Sequence, residues 1–426
     1  MVKMIRLGQS LGMLMVSSML PTACQDTAAV CSSPATSAGR VALFYVALYV
    51  LALGQGFRRP CTEAMGADQL SESNPRRLAS RSSFLNWINF SVSCGYVVSG
   101  HRDQLRARQR QLGIGFGVCW AMMFVSLLVF LLGTGTYHPE QPRRSGTSAE
   151  TRHGDAMDDT ASLPTPPRDH GADKGIVARL LPIWMTSVVY AVVYAQMATL
   201  FTKQGSTMDR RIVIGTGGGA GVVVVLVPPA SLQSFVSLDV IVTIPVYDRA
   251  MVPLARRVTR NPSVIMTLQR VGAGLATACL AMVVAALVEA ARLRAARDAD
   301  LLDEPDISVP MRMWWLVPQF VLLGVATMFT IVGLEEFFYD QVPDELRSVG
   351  LAACLSIVGV GTYASGTLVS AIDRATRSSG ESWFCDNLNR AHLVYFYWLL
   401  AGISALDVLV LLYFAKSRAP ALLVHT

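Results

Sequence analysis

From Leu393 to Ala415 the chain is an apolar run long enough to cross a lipid bilayer as one helix. This feature limits the possible folds sharply. In hydrocarbon every backbone N–H and C=O must be satisfied within the spanning structure, and a continuous run of roughly 20 apolar residues does that as an α-helix. Further runs, bounded by Pro, Gly or charge, extend from Met4 to Leu20, Val41 to Gly56, Phe84 to Ser99, Gly113 to Leu132, Val177 to Phe201, Leu232 to Leu254, Ile265 to Leu287, Trp314 to Phe338 and Val349 to Ala371. Ten spans are therefore expected, four before and six after a polar stretch near the middle. With 52% hydrophobic and 15% charged residues, the chain has more apolar surface than a water-soluble core buries. The fold class is an all-α polytopic membrane protein.

The polar stretch from Thr134 to Lys174 is rich in Pro, Ser, Thr, Gly and mixed charge, lacks apolar periodicity and reads as a disordered cytoplasmic linker. It divides the chain into a first helix bundle at 1–132, a linker at 133–176, a second bundle at 177–415 and a tail at 416–426. Arg58, Arg59, Arg76, Arg77 and Arg81 place the loop after the second span in the cytoplasm. Arg256, Arg257 and Arg260, and Lys416 with Arg418, agree with that orientation. The arginines between His101 and Arg110 fall on the opposite side and depart from the rule. The net charge of +6 is spread over segment ends rather than gathered into a stripe, which argues against nucleic acid as a partner. No His or Cys spacing suits a metal, and no cofactor motif is present. Most cysteines lie in apolar runs; Cys24 and Cys31 could pair in an extracytoplasmic loop. The glycines from Gly215 to Gly221 lack the strand, Lys-Ser/Thr pair and later acid of a phosphate cradle and read as a loop.

Several ordered stretches resemble the plant branch of the proton-coupled oligopeptide and nitrate transporters, a family with the major-facilitator fold. Ala52-Leu53-Gly54-Gln55-Gly56, Arg59-Pro60-Cys61 and Gly66-Ala67-Asp68-Gln69 resemble its fourth helix and the loop that follows. Phe84-Leu85-Asn86-Trp87 resembles the fifth, and Lys203-Gln204-Gly205-Ser206-Thr207-Met208-Asp209-Arg210 the exit of the seventh. Pro228-Pro229-Ala230-Ser231-Leu232-Gln233-Ser234-Phe235 resembles the eighth, Gln269-Arg270-Val271-Gly272 the ninth, and Gly333-Leu334-Glu335-Glu336-Phe337-Phe338-Tyr339-Asp340-Gln341 the tenth. The resemblance implies an incomplete major-facilitator fold, with the first span here matching the third helix of the family and a four-plus-six arrangement in place of twelve helices. The family's Glu-x-x-Glu-Arg motif does not occur in the sequence.

The same resemblance implies an inter-bundle latch between Arg59, where relatives usually carry Lys, and Glu336. An ionised Glu336 attracts the arginine and keeps one face closed, and protonation releases it. Glu335, one residue away and so on another helical face, is expected toward the lipid interface or a loop. Tyr190 and Tyr194, one turn apart, with Gln196 and Ser93, are candidates for a substrate cavity. Asp68 and Gln69 are candidates for a cytoplasmic gate, and Asp239 is an acid within a span with no evident partner. Gly113, Gly117, Gly272 and Gly274 are expected at close helix contacts.

The expected function is proton-coupled symport of small peptides, nitrate or related organic anions by alternating access. The expected partners are protons, that solute and the bilayer of a plasma or vacuolar membrane. Two other classes compete. A chain with an incomplete first bundle could insert without transporting, as an inactive or regulatory member of the family. An intramembrane enzyme is disfavoured, because Asp340 stands where the Glu-Glu-x-x-x-Arg pattern of some membrane proteases needs arginine.

Overall fold

The computed structural model describes residues 34–68, 75–104, 110–133, 170–215, 222–251, 263–305, 307–343, 346–377, 382–385 and 387–422. Within these the chain is overwhelmingly helical. Three long helices precede the linker: α1 (Pro34–Asp68), α2 (Pro75–Gln104) and α3 (Arg110–Leu132). After it come α4 (His170–Ala195), the short α5 (Leu200–Ser206), α6 (Gln233–Val246), α7 (Ser263–Asp298), α8 (Val317–Asp340), α9 (Arg347–Arg377) and α10 (Leu393–Leu422). The described part of every expected span after the first falls on helix apart from the turn at 196–199; Met4–Leu20, like the Cys24 and Cys31 pair, lies outside the described residues. Among the described residues six helical segments are long and apolar enough to cross a membrane: Val41–Ala67, Leu180–Ser206, Thr267–Asp298, Met313–Asp340, Arg347–Arg377 and Leu393–Phe414. Gly117–Leu132 is apolar but shorter, and α2 is a long helix whose polar side chains keep it out of that set.

Two boundaries differ from expectation. Helix α4 begins at His170, inside the stretch assigned to the linker, and α10 continues to Leu422, into the stretch assigned to the tail. In both places the helix extends past the apolar run, because backbone hydrogen bonding propagates through polar residues once a helix is nucleated.

Prolines mark the local irregularities. Pro60 sits inside α1 directly after Arg59, where it has no N–H to give the carbonyl of Gly56. Pro182 lies within α4, and Pro245 precedes a π-helical turn, Tyr247–Met251, that ends the α6 span. Between α4 and α5 the helix breaks into a turn at 196–199, in which Gln196 N–H bonds the Val193 carbonyl at 3.1 Å.

The stretch between α5 and α6 corrects the reading of the glycine run as lacking any strand. Arg211–Gly215 (β2) and Val222–Leu226 (β3) pair as an antiparallel hairpin, Ile212 opposite Val225 and Val213 opposite Val224. Their β-branched residues suit a pleated ribbon better than a helix. Met208–Asp209 (β1) pairs in parallel with Val309–Arg312 (β4) just before α8.

The core lies almost wholly in the second half. Helix α7 packs along α8 and α10, α4 packs along α9, and a single apolar cluster runs from Ile183 through Phe201, Leu275, Phe320 and Phe338 to Leu411. Small residues permit the close approaches. A Cβ on Gly361 of α9 would stand 2.2 Å from that of Ala191 on α4, and one on Gly274 of α7 would stand 2.2 Å from Thr330 Oγ1 on α8. Gly272 makes only ordinary contact with Leu411. The first half joins the second through α1 on α9 and α2 on α6 and α8.

Candidate functional site

Helices α1, α2, α6, α7 and α8 bring polar side chains together near the ends that the arginine distribution assigns to the cytoplasm. On α2 the residues Asn86, Asn89 and Ser93 recur at three and four positions, so they form one polar stripe along a single helical face. That stripe is buried, and its two asparagines meet the carboxylates of Glu335 on α8 and of Asp248 in the π-helical turn after α6.

The expected contact between Arg59 and Glu336 does not form. Arg59 Nη2 instead donates to Glu335 Oε1 at 3.0 Å and to Asn89 Oδ1 at 3.2 Å, while its Nε donates to Glu63 Oε1 at 2.7 Å. Asn89 Nδ2 donates to the other oxygen of Glu335 at 2.6 Å. Glu335 is 0% exposed, so the expectation that it faces lipid or a loop is also corrected. The cause is helical phase. Packing of α8 against α7 turns Glu335 toward α1 and α2 and rotates Glu336, one residue later, toward α7.

Glu336 accepts from Arg270 Nη1 at 3.3 Å. Arg270 in turn donates through Nη2 to Asn86 Oδ1 at 3.0 Å, and its guanidinium lies over the Tyr247 ring at 4.2 Å from the centroid. Asn86 Nδ2 then donates to Asp248 Oδ1 at 2.6 Å, and Ser83 Oγ to Asp248 Oδ2 at 3.0 Å. Two polar links thus cross between the halves, one centred on Glu335 and one on Arg270. Beside them lies an apolar contact made by Ala64 and Ala67 of α1, Tyr339 of α8, Leu351 of α9 and Phe84 of α2.

The candidate cavity residues separate into two kinds. Tyr190 is buried, with its hydroxyl donating to Thr327 Oγ1 at 2.9 Å, and so joins α4 to α8 within the core. Gln196 is also buried and donates to Ser365 Oγ at 2.9 Å at the break after α4. Tyr194 is half-buried, its ring 6.2 Å from that of Tyr190, and lies within Coulombic range of Tyr96 and Arg59. Ser93 is buried on the polar stripe of α2. Tyr194 therefore lies near the arginine and Ser93 one turn beyond its partner Asn89, whereas Tyr190 and Gln196 tie the second half together. Asp68 ends α1, and Gln69 lies outside the described residues. Asp239 packs against Gly324 of α8 and has Thr243 Oγ1 at 3.5 Å.

Sequence reasoning missed Glu63, Asn86, Asn89 and Arg270 as members of this site. The three-and-four spacing of Asn86, Asn89 and Ser93 was the available signal for the stripe, and the Arg59 to Glu63 interval of one turn was the signal for their pairing. A second buried ionic group lies toward the other membrane face. Arg292, fully buried on α7, donates to both oxygens of Glu289 at 2.7 and 2.8 Å, to Asn389 Oδ1 at 2.8 Å, to Thr207 Oγ1 at 3.2 Å and to the Leu388 carbonyl at 2.9 Å. Among the described residues no three His, Cys, Asp or Glu are grouped to hold a metal ion.

Two sets of long membrane helices, joined through buried charge at one end, define a multi-pass membrane carrier. The chain belongs to the POT family of membrane transporters, whose sequence model (PTR2) matches residues 9–152 and 168–384. It is 43% identical to Protein NRT1/ PTR FAMILY 5.10 of Arabidopsis thaliana over 96% of this chain and 78% of that protein. Against Protein NRT1/ PTR FAMILY 5.12 of the same plant the identity is 40%, over 96% of this chain and 77% of that protein. The fold resembles a crystal structure of an auto-inhibited POT family peptide transporter, with a TM-score of 0.56 at 17% identity, covering 97% of this chain and 82% of that one. A POT family transporter in complex with 5-aminolevulinic acid gives a TM-score of 0.58 at 13% identity, with the same coverage. The expected all-α polytopic membrane fold and the assignment to a transporter rather than an enzyme both agree with these findings.

Proposed function

We propose that this chain is a proton-coupled symporter that carries small peptides, nitrate or related organic anions by alternating access. The observation that supports this reading most is the Arg59–Glu335 pair, an ionic contact between a part-exposed arginine and a fully buried carboxylate that joins the two halves. An ionised Glu335 attracts Arg59 and holds that end closed. A proton on Glu335 removes the attraction, so the halves separate and the central space opens to the cytoplasm. Glu335 takes the role that the family resemblance assigned to Glu336, while Glu336 holds Arg270 in place to reach across to Asn86. Tyr194 and Ser93 flank the solute path, and Asp68 and Gln69 act at its cytoplasmic exit. Plasma or vacuolar membrane is the setting for such a symporter.

Uptake of a dipeptide and of nitrate into proteoliposomes, with and without an inward proton gradient, tests the reading. Gradient-driven accumulation is expected for at least one solute, with Glu335→Gln flattening its pH dependence. Flux that is indifferent to the gradient, or a Gln variant that keeps the full pH response, overturns it.

A further inference from the structure

Glu63 is the least explained member of the arginine cluster. It lies one turn after Arg59 on the same helix, is nearly inaccessible, and accepts Arg59 Nε through Oε1 at 2.7 Å. Its second oxygen, Oε2, is buried without a hydrogen-bond partner. Arg59 is thus shared between two carboxylates, with Nε on Glu63 in its own half and Nη2 on Glu335 in the other. The surrounding groups on the packed helices are Tyr96 on α2, Tyr194 on α4, Arg270 on α7, its partner Glu336 and Tyr339 on α8, and Arg347 and Cys354 on α9. Arg270 is bonded to Glu336 and Asn86, and Arg347 lies over the Tyr339 ring at 4.7 Å, so Arg59 is the cation that serves both Glu63 and Glu335.

Opening the cytoplasmic end requires Nη2 of Arg59 to leave Glu335. A guanidinium left uncompensated within a membrane protein is strongly unfavourable, so Arg59 needs another anion that travels with it. Glu63 meets that need by position, because an i, i+4 partner remains in place when the halves part. It also meets it by geometry. Nε already occupies Oε1, and Nη2, once released, has the vacant Oε2 beside it to complete the two-pronged arginine–carboxylate contact.

We propose that Glu63 is the exchange partner of Arg59, so that protonation of Glu335 transfers the guanidinium wholly to Glu63. The proton enters on Glu335 Oε1, the Nη2–Glu335 hydrogen bond breaks, and the Nη2–Glu63 Oε2 bond forms. Asn89 Oδ1, which also loses Nη2, accepts the new carboxylic O–H, while Asn89 Nδ2 keeps its bond to Oε2. Deprotonation reverses each step. The exchange rests on the proton-coupled reading above and adds to it the residue that keeps Arg59 neutralised in the open state.

Full-length protein carrying Glu63→Gln, Glu335→Gln or both tests the exchange, with the dipeptide and nitrate as probes and exchange flux measured beside net uptake. With Glu63 neutral, Arg59 has only Glu335, so net uptake is expected to fall about tenfold and its half-maximal pH to move about one unit acid. In thermal unfolding the double variant loses more than the sum of the single variants, because each carboxylate covers for the other. Glu63→Gln with unaltered net uptake and pH profile, or additive losses of stability, overturns the proposal. Should Glu63→Gln fail to fold, Glu63→Asp keeps the charge and shortens its reach; the proposal then requires slowed net uptake, and unaltered net uptake overturns it. If the unaltered chain shows no gradient-driven uptake, the proton-coupled reading fails instead, and the stability cycle still decides the exchange.

Discussion

Helices α1 and α10 are both long and apolar, yet they end in different surroundings. Along α10 one side is closed by α7, with Phe396, Tyr397, Leu400 and Leu411 buried in the common core. Along α1, Tyr45, Tyr49, Leu53 and Phe57 are all more than half exposed, and apart from Ala47 its buried side chains gather toward its C-terminal end. Helix α3 is similar: among the described residues no helix packs along it, and Leu132 is 85% exposed. In a bilayer such apolar faces lose nothing by exposure to lipid, because hydrocarbon solvates leucine as well as a protein core does. Hydrophobicity puts both halves in the membrane but does not assemble them. The second half is held by close packing around one apolar cluster, and the described helices of the first half join it through charged side chains and the apolar contact of Ala64, Ala67 and Phe84.

This contrast can be broken most directly in the second half. Arg292→Ala leaves Glu289 buried without its cation and deprives Asn389, Thr207 and the Leu388 carbonyl of a donor. A loss of about 3–5 kcal/mol is expected, read as a large drop in the melting temperature of the solubilised protein. Next comes Gly361→Leu, which drives a side chain into Ala191 and is expected to cost about 1–3 kcal/mol by the same measurement. Asn89→Ala sharpens the view of the first half. It removes the donor to Glu335 Oε2, with an expected loss of about 1–3 kcal/mol and a changed pH profile of uptake, since the carboxylate then has Arg59 alone. The smallest effect belongs to Tyr49→Ala on the open face of α1, expected within about 0.5 kcal/mol of the unaltered protein. A large loss there would mean that this face is packed rather than lipid-facing.

The spans were legible in the sequence because hydrocarbon imposes one rule on every segment, and runs such as Val349–Ala371 and Leu393–Ala415 obey it residue by residue. The site was legible only in part. That an arginine on α1 meets a glutamate on α8 follows from ordered resemblance, but the choice between two adjacent glutamates depends on a rotation of about 100° per residue. Tertiary packing sets that rotation, and nothing local in Gly333-Leu334-Glu335-Glu336 encodes it. Tyr190 and Gln196 share the composition of cavity residues and differ from Tyr194 only in finding Thr327 and Ser365 as partners on other helices. The valine hairpin is hard to read in the sequence because its strands, Arg211–Gly215 and Val222–Leu226, are short apolar runs that could equally belong to a helix.

The proline after Arg59 has a mechanical consequence. By leaving the Gly56 carbonyl without its usual donor, Pro60 removes one rung of the α1 ladder immediately beside the charge shared by Glu63 and Glu335. The fulcrum and the handle of this lever are neighbouring residues, so a shift of the guanidinium between carboxylates acts where the helix resists bending least.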